Sequence, residues 1–254
     1  MESLIPAQVI ECFHLAFLGI LPSHLPRDAY VLKGGANLRY FYGSLRYSED
    51  IDFDALMAED WKLGEKVSAA LDATSLKTML RRTGVSVASI SPHGKQTETT
   101  QRWKLQLAAS GHSTTISTRV EFSRRNGDER WALEAVPESV VEPYAIAPPT
   151  LLHYLPPAAI DQKVKALALR SQTQARDVFD LELLFRGNPA AVQVGEIDEG
   201  TLATAIKRCL EIESAAFQAQ VLPFLDVEVA ASYDSVISWE TMQLYVADKL
   251  AKLQ

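Results

Sequence analysis

Lys33-Gly34-Gly35, followed by Arg46-Tyr47-Ser48-Glu49-Asp50-Ile51-Asp52-Phe53, is the stretch on which the reading of this chain turns. A Gly-Gly turn opening a helix presents backbone N–H groups that lack an intrahelical acceptor, and such groups suit a phosphate. Side chains alternate along a strand with period two, so Asp50 and Asp52 project from one face. Glu121, on a later strand pattern, offers a third carboxylate. Carboxylates in this arrangement suit Mg²⁺ or Mn²⁺, hard cations that take oxygen ligands and share them with substrate phosphates. Together the three segments point to transfer of a phosphoryl or nucleotidyl group.

The neighbouring pattern is mixed. Tyr30 to Lys33 reads as a strand entering the glycine turn, Asn37 to Tyr42 as a short helix, and Ile51 to Ala55 as a second strand. Trp61 to Arg82 carries Leu63, Val67 and Leu71 at helical spacing and predicts one helix. Gln101 to Ala109 alternates with Trp103, Leu105 and Leu107 on one face. Ile116 to Phe122 alternates too, with Ile116, Thr118, Val120 and Phe122 inward and Arg119 and Glu121 opposite, where those two are able to pair. Ser110-Gly111-His112-Ser113 fits the hairpin loop between them.

Half of the twelve prolines fall between Pro137 and Pro157. Proline removes a backbone donor and restricts its predecessor, so an extended connection is expected there. The boundary is placed within it, giving a catalytic domain over 1–147 and a mostly helical domain over 148–254. In the second domain, Ala158 to Arg170, Ala175 to Arg186 and a segment near Thr201 to Gln218 read as helices. A last helix carries Trp239, Met242, Val246, Leu250 and Leu253 as a stripe for core packing or a helix interface.

Composition narrows the classes. The 254 residues are 47% hydrophobic and 22% charged, ordinary for a globular protein. No run approaches the ~20 apolar residues of a membrane span, and Met1 to Leu21, with Glu11 and His14, reads as a core helix. Cys12 and Cys209 stand far apart, which suits a reducing cytoplasm and excludes a zinc ribbon. The five histidines show no ligand spacing, and no Walker or dinucleotide-binding loop is present. The net charge of −7 argues against a dedicated nucleic-acid binder. Arg81, Arg82, Lys95, Arg102, Lys104, Arg119, Arg124 and Arg125 still allow a local basic patch.

The first block resembles the DNA-polymerase-β-like nucleotidyltransferases, whose signature is a glycine pair, a helix and an Asp-x-Asp strand. It is most similar to their AbiEii/AbiGii toxin branch, which reads Lys-Gly-Gly and then Arg-x-Ser-x-Asp-Ile-Asp-Phe. A second block agrees: Lys163-Val164-Lys165-Ala166-Leu167, Arg170, then Arg176-Asp177-Val178-Phe179-Asp180-Leu181. The resemblance spans roughly residues 30 to 185.

It implies an α/β fold, with a mixed sheet flanked by helices and a helical C-terminal domain that completes a nucleotide cleft. Asp50 and Asp52 would hold the metal, with Glu121 as third ligand or general base. Lys33, Gly34, Gly35, Arg46 and Ser48 would contact the nucleotide. Lys163 would place a charge on the triphosphate, oriented by Asp177 or Asp180. The substrate would be a nucleoside triphosphate and the acceptor a hydroxyl of tRNA, in a cytoplasmic toxin with a cognate antitoxin. Two alternatives stay open: the same chemistry on an aminoglycoside-like small molecule, and a catalytically weak nucleotide-binding module. The second follows from Ala36, which stands where the family has a Ser or Thr hydroxyl; Asn37 offers a polar side chain beside it.

Overall fold

A computed structural model describes residues 3–56, 60–92, 99–124, 129–189 and 197–253. Lys95 and Arg125 of the expected basic patch lie outside these residues. The chain divides into two units, one holding Met1–Phe41 and Tyr47–Tyr154, the other Tyr42–Arg46 and Leu155–Gln254.

The first unit holds helices α1 (Pro6–Ile20), α2 (Gly34–Phe41), α3 (Asp60–Asp72), α4 (Thr74–Arg82) and α5 (Glu138–Val141). Its strands are β1 (Tyr30–Lys33), β2 (Asp50–Ala55), β3 (Val85–Pro92), β4 (Thr100–Ala109), β5 (Ile116–Ser123), β6 (Trp131–Ala135) and β7 (Thr150–Tyr154). They form one mixed sheet in the order β3-β4-β5-β2-β1-β7-β6. β2 runs antiparallel to β1 and parallel to β5, and β1 runs parallel to β7. The expected α/β architecture is therefore present.

Register assigns each face. Asp52 stands opposite Lys33 on β1 and Glu121 on β5, and Glu121 stands opposite Arg102 on β4. Period-two alternation puts the acids on one face and Ile51, Phe53, Val120, Phe122, Trp103 and Leu105 on the other. That apolar face forms a core with α1, α3 and α4, in which Phe53 stacks on Phe122 with ring centroids 4.6 Å apart. Pro6–Ser23 has the length and apolarity of a membrane span, with mean hydropathy 1.2, yet 72% of it is buried inside the protein. Glu11 within α1 is bound by Arg39 and by the Tyr144 hydroxyl, each at 2.7 Å, which supplies the partners a buried carboxylate needs.

Three segments differ from the sequence reading. The helix expected over 61–82 breaks at Ala73, whose backbone is extended (φ −57°, ψ 133°). Asp72, Thr74 and Ser75 surround it, residue types whose side chains compete with helical hydrogen bonds. The proline-rich connection is not simply extended, since it holds α5, a short 3₁₀ turn over Glu142–Tyr144 and strand β7. The segment near Thr201 to Gln218 is two helices, Glu199–Glu211 and Ser214–Gln220.

The second unit is helical: α6 (Pro156–Leu169), α7 (Ala175–Gly187), α8 (Glu199–Glu211), α9 (Ser214–Gln220), α10 (Val227–Tyr233) and α11 (Val236–Ala251). The stripe on α11 is core, with Trp239, Met242, Val246 and Leu250 buried and Trp239 stacked on Phe217 at 4.8 Å. A helix leaves its last carbonyls without intrahelical donors. At the α8 terminus Gln243 Nε2 donates to Cys209 O at 2.6 Å and Ile212 O at 2.9 Å, and Trp239 Nε1 donates to Ile212 O at 3.0 Å.

Candidate active site

The glycine pair and the Asp-x-Asp strand meet. Gly34 opens α2 at φ +71°, a conformation that L side chains rarely adopt. A Cβ added there would stand 3.1 Å from Asp52 Oδ2. Glycine is therefore required twice, for backbone handedness and for the close approach of the carboxylate to the helix start. Ser48 donates from its hydroxyl to the Asp50 carbonyl at 2.8 Å, holding the entry to β2.

The acids on this face have different surroundings. Asp50 is ion-paired with Arg119, directly opposite it on β5. Glu121 accepts from Arg102 Nε at 2.7 Å and lies 2.6 Å from its Nη2. The pairing of Arg119 with Glu121 considered from the sequence does not form. Two residues apart on one strand, those side chains are farther from each other than from their direct cross-strand neighbours. Burial pushes the Asp52 carboxyl up to about 6, reinforced by the like charges of Asp50 and Glu121 and opposed by Lys33 and Arg119.

Lys33 points elsewhere along the face. Its ammonium donates to Asp54 and to the Ser123 hydroxyl, and Tyr154 donates from its hydroxyl to the other Asp54 oxygen at 2.9 Å. Asp54 is a third acid on the β2 face that the motif did not single out. Its period-two spacing from Asp52 was the available signal. Asn37, offered as a replacement for the hydroxyl missing at Ala36, is committed within the unit. Its Nδ2 donates to Tyr154 O at 2.9 Å and its Oδ1 faces His153 Nδ1 at 3.1 Å. Arg81 and Arg82 end α4 on the apolar side of the sheet, whereas Arg102 and Arg119 lie on the polar side. The expected basic patch is thus divided between two faces.

The second unit gathers the other motif residues. Asp177 and Asp180 are fully buried on α7 and Lys163 is buried on α6. Lys163 Nζ lies 3.1 Å from Asp177 and 2.6 Å from Asp180. Arg46 reaches Asp180 at 3.0 Å, and Arg170 reaches Asp177 at 3.4 Å. These are interior ion pairs, not a solvated helix face. Burial alone would raise the Asp180 carboxyl, yet the charges of Arg46 and Lys163 hold it below the usual carboxylate range.

A mixed sheet with a glycine turn against an Asp-x-Asp strand defines the nucleotidyltransferase fold class, and solved structures agree. JHP933 from Helicobacter pylori is similar over 97% of this chain and 94% of its own, with a TM-score of 0.57 and 21% identity. The structure of a candidate nucleotidyltransferase from H. pylori is similar over 98% and 97%, with a TM-score of 0.58 and 20% identity. No protein of curated description matches. The model of the AbiEii family, nucleotidyl transferase toxins of type IV toxin–antitoxin systems, matches residues 16–237, and the chain belongs to that family. It is a nucleotidyltransferase.

Such enzymes act on nucleoside triphosphates and usually require a divalent cation. Among the described residues no three His, Cys, Asp or Glu side chains converge to cage an ion. The chemistry of the donors still fits one. Mg²⁺ is commonly held by one or two carboxylates, with substrate phosphates and water completing its shell. Asp50 and Asp52 supply the two carboxylates, and the space kept clear at Gly34 lies beside the second.

Proposed function

We propose that this protein transfers a nucleotidyl group from a nucleoside triphosphate to a hydroxyl of tRNA, in the cytoplasm, as a toxin restrained by a cognate antitoxin. The observation that carries the nucleotidyl-transfer part of this reading is the close approach of Asp52 to the Gly34 turn, where an added Cβ would stand 3.1 Å from Oδ2. A helix N-terminus that attracts phosphate oxygens lies against a carboxylate able to hold the phosphate's counter-ion.

In this mechanism the amides at the start of α2 bind the triphosphate. Asp50 and Asp52 would hold Mg²⁺, which would supply positive charge to the transferred group and the departing pyrophosphate. The acceptor oxygen attacks the α-phosphorus, the bond to the bridging oxygen of the β-phosphate breaks, and pyrophosphate leaves. The hydroxyl proton passes to a carboxylate of the same face, Glu121 in this reading. Lys163 is assigned to the triphosphate, oriented by Asp177 and Asp180.

The test is incubation with each α-³²P-labelled nucleoside triphosphate, Mg²⁺ and total tRNA, beside an Asp50→Ala/Asp52→Ala control. Label on tRNA that is absent from the control supports the reading and identifies the nucleotide. Folded protein that binds Mg²⁺-nucleotide and leaves tRNA unlabelled rules out tRNA as acceptor. The net charge of −7 favours a small hydroxylated acceptor as second reading. Transfer of label to such a compound would establish it.

A further inference from the structure

Cross-strand rows of side chains traverse the polar face of the sheet. One row runs Arg102, Glu121, Asp52, Lys33, and the next runs Lys104, Arg119, Asp50. Lys33 is held by Asp54 and Ser123, and Arg102 by Glu121. Arg119 alone of these cations is placed on a carboxylate of the Asp-x-Asp pair, donating from Nη2 to Asp50 Oδ2. The side chain of Arg119 is 38% exposed and that of Asp50 17%, so a solute can reach the pair.

We propose that Arg119 is the resident counter-ion of the metal site. It neutralises Asp50 in the free protein and releases it when a triphosphate arrives with its cation, its guanidinium then turning to a phosphate oxygen. The inference rests on the metal-dependent reading given above.

Three physical points support it. Two carboxylates on alternate residues of one strand repel each other, and a guanidinium on one of them relieves that repulsion without a metal. A partly exposed ion pair is weak enough for a divalent cation to displace. A freed guanidinium suits phosphate oxygens, which it binds through paired N–H groups. The consequence is ordered loading: a cation alone competes with Arg119, whereas a cation and triphosphate together satisfy both Asp50 and Arg119. Coupling of this kind is reciprocal, so the cation strengthens nucleotide binding by the same factor.

The test is Mn²⁺ binding followed by electron paramagnetic resonance, with and without a non-hydrolysable triphosphate analogue. Arg119→Gln is expected to tighten binding of Mn²⁺ alone by roughly three- to ten-fold and to weaken the coupling to nucleotide. Lys104→Gln removes the same unit charge from the neighbouring strand and is expected to leave Mn²⁺ affinity nearly unchanged. Equal tightening in the two variants would assign the effect to the general field and overturn the proposal. So would unchanged or weaker Mn²⁺ binding in folded Arg119→Gln. Should that variant unfold, Arg119→Lys supplies the reading, with a smaller tightening expected and none counting against the proposal. Mn²⁺ binding that Asp52→Asn does not weaken would refute the metal site itself, a result separable from the others.

Discussion

Arg46 and Asp180, 134 residues apart in sequence, form a doubly bonded ion pair in the interior of the second unit. Nη2 of the arginine donates to the two carboxylate oxygens at 3.1 and 3.0 Å. Lys163 closes on the same carboxylate, so removing the acid leaves two buried cations without a full counter-charge. Asp180→Ala is expected to destabilise the protein by about 3–5 kcal/mol, read from guanidinium unfolding at pH 7. Because its carboxyl is held below the usual range, this stabilisation is complete above about pH 4. It is lost progressively as pH falls from there, where the unfolded chain takes up the proton first, through the lower folded-state value. A loss under about 1 kcal/mol at pH 7 would show that the pair is not held as described.

Gly34→Ala tests the close approach to Asp52. The substitution must accommodate φ +71° and a Cβ 3.1 Å from Asp52 Oδ2. Backbone strain of this kind costs about 1–2 kcal/mol, measurable as a lower melting temperature. Nucleotide affinity should fall as well. Gly19→Ala, where nothing lies within 4 Å of the added atom, should leave nucleotide binding unchanged.

Asp52 should make stability depend on pH in the direction opposite to Asp180. Its carboxyl titrates near 6 in the folded protein and near 3.9 in the unfolded chain, so the folded state binds this proton more tightly. The contribution is fully present below about pH 4 and is lost as pH rises through 6. With divalent cations chelated, Asp52→Asn should therefore gain about 2–3 kcal/mol relative to the parent at pH 7.5 and little near pH 4. Equal melting shifts at both pH values would contradict this.

Lys33 separates a structural from a binding role. Its ammonium lies on Asp54, whose side chain is 6% exposed. Lys33→Met should cost about 3 kcal/mol by leaving that carboxylate unpaired. Adding Asp54→Leu should restore much of the loss, in a double-mutant cycle read by urea unfolding. A stable Lys33→Met protein with weakened nucleotide affinity would instead assign the lysine to the phosphates.

Local pattern carried much of the fold. The strands through Asp52, Trp103 and Val120 were legible because alternation separates an apolar from a charged face within six to ten residues. Trp239, Met242, Val246 and Leu250 marked a packed helix in the same way. β3, β6 and β7 were not read as strands from the sequence. A register shift between Val87 and Ser89 breaks the period-two alternation of β3, while β6 and β7 adjoin the prolines that argued for an open connection. Strands at these positions depend on partners supplied by the sheet.

The sequence by itself determined that a glycine pair precedes two same-face aspartates and that a second block carries buried-type acids beside an apolar stripe. Chain connectivity and side-chain period are sufficient for that. Only the tertiary structure decided which charge meets which. It placed Arg119 on Asp50 and Arg102 on Glu121, committed Lys33 to Asp54 and Asn37 to Tyr154, and joined Arg46 to Asp180. Charge pairing depends on cross-strand register and on the burial that makes an unpaired ion costly. Neither is encoded in the spacing of residues along one segment.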